Sequence, residues 1–90
     1  MYLHIGEDIV VNGKDIIGVF DFETATLSKN TQNYLKDKEK KGKTVTIGKE
    51  MPKAFIVVEG KKEIHSKVYL TLVSSLTLKR RAENYKLMEL

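Results

Sequence analysis

Lys49 and Lys53 flank a short loop, and Lys79, Arg80 and Arg81 form an unbroken basic run. Lys29, Lys36 and Lys40 recur at helical spacing. These three groups offer one kind of chemistry, the binding of anions. Lysine holds a phosphate as a point charge, while arginine adds a planar two-pronged donor. Both arginines of the chain stand at 80 and 81, so base readout by arginine has few sources. Each group also has a plain structural reading: a solvated helix face, an ordinary loop and a basic helix start.

No catalytic constellation accompanies them. His4 and His65 are far apart and lack metal-ligand spacing. The carboxylates are scattered or paired with lysines, with no isolated pair for acid–base work. Gly48-Lys49 lacks the spaced first glycine and the following Ser/Thr of a phosphate-binding loop. With no cysteine, disulfides and thiolate metal sites are excluded. The expectation is a non-enzymatic protein with no cofactor, metal or small-molecule substrate.

The net charge of +4, from 16 basic and 12 acidic residues, permits a nucleic-acid partner without requiring one. No apolar run approaches the about 18 residues of a membrane span. Met1-Tyr2-Leu3-His4-Ile5 lacks the basic start and long apolar run of a secretion signal. The expected location is the cytoplasm, away from membranes.

The elements that position these groups follow from periodicity. Tyr2–Ile5 and Asp8–Val11 read as short strands joined around Gly6. Asn12-Gly13 is the strongest local hairpin signal, since both residues tolerate positive φ. Asp15–Phe22 is apolar on both faces and reads as a central strand, with Gly18 leaving room for a ring or backbone. Glu23–Leu27 is a connection. Ser28 caps a helix over about Lys29–Lys41, closed by Gly42. Leu27, Thr31, Tyr34, Leu35 and Lys38 share the packed side, where Lys38 buries only its stem. Asp37 and Lys41 form a supporting i,i+4 pair.

Thr44–Ile47 is a short strand, and Ala54–Val58 is the most apolar strand of the chain. Between them lies the loop Gly48–Lys53. Glu63–Val73 alternates, with Ile64, Val68, Leu70 and Leu72 inward and His65, Lys67, Tyr69 and Thr71 outward. It should pair antiparallel with Ala54–Val58. Ser74-Ser75 caps a last helix packed through Leu78, Ala82 and Tyr85. Ninety residues hold one core. The fold class is α+β: a small antiparallel sheet of about five to six strands, one helix packed on it and a short C-terminal helix.

Several stretches together resemble the RemA/RemB-like family of bacterial extracellular matrix regulators, the RemB branch most. They are Met1–Gly6, Ile16–Asp21, Thr24–Ser28, Pro52–Val58 and Ser74–Arg80, in one colinear order. The resemblance covers residues 1–81 as the domain and leaves 82–90 as a C-terminal extension. It implies a small α+β domain that assembles into rings or other homo-oligomers and binds double-stranded DNA. In the RemA branch it implies transcriptional control of biofilm matrix genes.

RemA relatives carry a glycine followed by adjacent arginines in the loop before the apolar strand. Here that segment is Gly48-Lys49-Glu50-Met51-Pro52-Lys53. Lys49 takes the place of the first arginine, and Lys53 that of the basic residue before the strand. Glu50 puts an anion where a cation stands, and the loop is one residue longer.

The function expected on this basis is a DNA-binding regulator that contacts the phosphate backbone through Lys49 and Lys53, with Lys79, Arg80 and Arg81 as further contacts. Lys29, Lys36 and Lys40 form a secondary basic face. The alternative is a non-enzymatic oligomeric module that meets proteins and not DNA.

Overall fold

The computed structural model describes residues 2–61 and 66–89, with side chains as far as residue 84. The described residues form six strands and three helices in the order β1 (Tyr2–Gly6), β2 (Ile9–Asn12), β3 (Ile16–Asp21), α1 (Phe22–Ala25), α2 (Lys29–Lys40), β4 (Thr44–Thr46), β5 (Ala54–Val58), β6 (Lys67–Thr71) and α3 (Ser75–Glu89). The class is α+β. The strands divide into a β1–β2 ribbon and a four-stranded sheet ordered β3-β5-β6-β4.

β5 is the centre of the molecule. Ala54, Phe55, Ile56 and Val57 are all buried, so both faces of this strand are covered. One face, with Ala54 and Ile56, packs on Leu3, Ile5 and Val11 of the ribbon and Leu78 of α3. The other, with Phe55, Val57 and Val68, packs on Phe22 and Ala25 of α1 and Leu35 of α2. The result is three layers with the sheet in the middle.

This second covering layer changes several sequence expectations. Thr71 does not point outward; it is fully buried beneath the ribbon. Its hydroxyl donates to the Ile5 carbonyl and accepts from the Val73 amide at 3.1 Å. β3 is an edge strand and not a central one, since it stands first in the order β3-β5-β6-β4 and pairs with β5 alone. Ile17 and Phe20 are 59% and 41% exposed. Gly18 does admit a ring, since a Cβ there would lie 2.6 Å from the Phe20 side chain. β5 pairs antiparallel with β6 as expected, but β4 runs parallel to β6.

The hairpin turns at Gly6-Glu7-Asp8, where Glu7 takes φ 48°, and not at Asn12-Gly13. Asn12 keeps an extended backbone and accepts from the Lys14 amide at 3.0 Å, starting a short 3-10 turn. That turn carries the chain from one sheet to the other.

The helices start and stop where their caps dictate. Ser28 accepts from the Thr31 amide, and Ser74 accepts from the Thr77 amide at 3.2 Å. α2 ends with Lys43 N donating to Lys38 O at 2.9 Å and Gly42 N to Glu39 O at 3.1 Å. This is the paired bonding that a left-handed Gly42 permits. Lys38 is buried along its stem and donates to the Ser66 carbonyl at 3.1 Å. Lys41 and Asp37 form the expected pair at 3.0 Å. Leu27 precedes the helix and is 82% exposed, so it does not join the packed side. The stretch read as a plain connection contains the one-turn helix α1. The placements expected for Ile64 and His65, and for the Tyr85 side chain, lie outside the described residues.

Candidate nucleic-acid interface

Strand direction gathers the site. β4 and β6 are parallel, so the segments that follow both leave the same end of the sheet. β5 begins at that end, with Ala54 opposite Thr71 and Asp21. The loop Gly48–Lys53 and the starts of α1 and α3 therefore share one pole.

The loop is fastened at both ends. Ile47 N donates to Leu70 O at 2.8 Å, and Lys53 N donates to Thr71 O at 2.9 Å. The Lys53 carbonyl accepts from Phe22 N at 2.9 Å, which joins the loop to α1. Gly48 has φ +87°, and a Cβ there would come within 2.7 Å of Leu72. Only glycine meets both demands without strain. Lys49, Glu50 and Met51 form the exposed tip, and Lys53 is exposed on the returning arm.

Beside the loop lies a groove of about 800 Å³ lined by Asp21, Glu23, Thr26, Met51, Lys53 and Ser74, among others. Asp21 caps α1, accepting from the Thr24 amide at 2.9 Å. Its carboxyl is held below the usual carboxylate range, first by hydrogen bonding from Thr24 and further by the positive charge of Lys79. Lys79, in the second turn of α3, thus has an anion near it. Asp21 and Glu23 as neighbours of the loop escaped the sequence reading. The sequence carries a signal, Asp21 three residues before Thr24, which is cap spacing.

The basic run does not act as a unit. Lys79 and Arg80 are exposed, but Arg81 is half-buried, and its Nη1 donates to the His4 carbonyl at 2.9 Å. Arg81 ties α3 to β1. Lys29, Lys36 and Lys40 are exposed along α2. α2 leads back to the start of β4, so Lys40 ends near the pole opposite the loop. Lys36 also lines a cleft of about 300 Å³ with Glu39 and Thr44. The structure therefore brings Lys49, Lys53 and Lys79 to one end and distributes the other cations elsewhere. Among the described residues no group of three or more His, Cys, Asp or Glu could hold a metal. No helix there is long and apolar enough to cross a membrane.

The model of the family described as extracellular matrix regulatory protein A-like, RemA-like, matches residues 2–82. Extracellular matrix regulatory protein B of Bacillus subtilis (strain 168) is 37% identical over 83 residues, covering 92% of this chain and 91% of that protein. The family match includes the loop and the run at 79–81, and it stops within α3. The chain belongs to the RemA-like family of extracellular matrix regulatory proteins.

Proposed function

We propose that this protein is a cytoplasmic, DNA-binding transcriptional regulator of extracellular matrix genes that works as a homo-oligomer. The observation that carries this reading is the fastened loop, which presents Lys49 and Lys53 on a rigid base at one pole. Lys79 and Arg80 add charge from α3. Such cations track phosphates and position a duplex without reading its sequence. Two or three per subunit bind weakly, and an assembly repeats them along one duplex, so the contacts add.

Self-association has a surface suited to it. The outer edge of β3 carries no lysine or proline, the usual protections of an edge strand. Ile17, Phe20 and Tyr34 line an apolar groove of about 360 Å³ beside it. A second copy that pairs along this edge would cover the open strand and the apolar side chains of the groove together.

A second reading is favoured by Asp21, Glu23 and Glu50, which interleave the loop's cations with anions. In that reading the pole meets a protein of mixed charge. Fluorescence anisotropy of a long labelled duplex across a salt series separates the two. Steeply salt-dependent binding supports the DNA regulator, and no binding at low salt by an intact oligomer supports the protein partner.

A further inference from the structure

We propose that Met51 is an apolar wedge that inserts at a deformable base step while Lys49 and Lys53 hold the neighbouring phosphates. This rests on the DNA-binding reading of the same loop and adds what the loop does to the duplex.

Met51 is 80% exposed. A single exposed apolar side chain needs no special account. Its setting does. Leu27 and Leu76 are also strongly exposed, at 82% and 57%, but Met51 alone of the three has a lysine two positions to either side. It is also held out on a stiff base. Both arms of the loop are bonded to β6, Gly48 is fitted against Leu72, and Pro52 fixes the backbone directly after Met51. A loop free to relax could fold this side chain down; this one is fastened on both sides of it.

The dimensions suit a duplex. Lys49 and Lys53 are four residues apart, a reach of at most about 14 Å. At 3.4 Å of rise per phosphate on one strand, that reaches across about four base steps at most. The side chain between them faces one or two steps. Proteins that kink DNA use apolar wedges of this type, methionine included, beside cations that hold the backbone. Methionine is unbranched and polarisable, so it slides against stacked rings. Glu50 subtracts from the attraction to phosphate, which gives insertion more weight here than in a wholly cationic loop. The steps selected are the easily unstacked pyrimidine–purine ones, TA and CA.

The test uses the full chain and duplexes labelled at both ends for energy transfer, with a central TA step or a central A-tract. Wild type is expected to bend the TA duplex and to prefer it. Met51→Ala is expected to bind about tenfold more weakly, with the salt slope kept and both the bend and the TA preference lost. Met51→Leu should restore the bend. Bending by Met51→Ala equal to wild type overturns the wedge, as does tight binding by wild type with a straight duplex. A Met51→Ala protein that loses its oligomer by light scattering also overturns it, making Met51 a subunit contact. If wild type binds neither duplex at low salt, the DNA reading itself falls, and the wedge with it.

Discussion

The Lys53 amide donates to the Thr71 carbonyl at 2.9 Å, and the Thr71 side chain in turn donates to the Ile5 carbonyl. One residue of β6 thus fastens the basic loop with its backbone and the β1–β2 ribbon with its hydroxyl. The loop's position depends on the sandwich behind it.

Thr71→Val keeps the shape of the side chain and removes its hydroxyl. The Ile5 carbonyl and Val73 amide then lose a buried partner, at a cost of about 1–3 kcal/mol. Urea unfolding should show this as a lower midpoint with an unchanged slope. A midpoint equal to wild type would remove Thr71 from its place as the link between the layers.

Asp21 gives a dependence on pH. Its folded-state pKa lies below the ordinary value, through the Thr24 hydrogen bonds first and Lys79 second. A depressed carboxylate stabilises the fold above its unfolded pKa of about 3.9, and that stability is lost as pH falls through the folded value. Asp21→Ala should therefore be less stable than wild type at pH 5–7, and the gap should close below about pH 4. Asp21→Asn keeps a capping acceptor and should lose less. A gap that does not narrow as pH falls below about 4 would show that the charge of Asp21 has no part.

The β3 edge makes a separate prediction. Ile17→Lys places a charge in the apolar groove and on the edge, which opposes pairing with a second copy. Light scattering should find a monomer whose far-ultraviolet circular dichroism matches wild type. An unchanged oligomer would move the subunit contact to another surface.

Much of this fold is legible in the sequence because the local signals agree with the packing. Ser28, Gly42 and Ser74 mark helix ends through their caps, and Lys38 lies where helical periodicity puts it. The misreadings share one physical source. Period-two alternation tells which residues share a face but not whether the opposite face is also covered. Thr71 read as outward, and β3 as central, because the ribbon and α3 form a second layer that only tertiary packing reveals. The Asn12-Gly13 signal was outcompeted by a side-chain cap on the following turn. In the site, loop position and charge were legible for Lys49 and Lys53. Arg81 was not, since its bond to the His4 carbonyl joins residues distant in sequence.

The central claim is that Lys49 and Lys53 hold phosphates. The most direct measurement is anisotropy of a long labelled duplex from low to high salt, comparing wild type with Lys49→Glu/Lys53→Glu, with light scattering on both. The account predicts steep salt dependence for wild type, shallower by about one unit of slope for each phosphate contact removed. It predicts loss of binding in the double variant with the oligomer intact. Binding by the double variant equal to wild type, with the same slope, would contradict it.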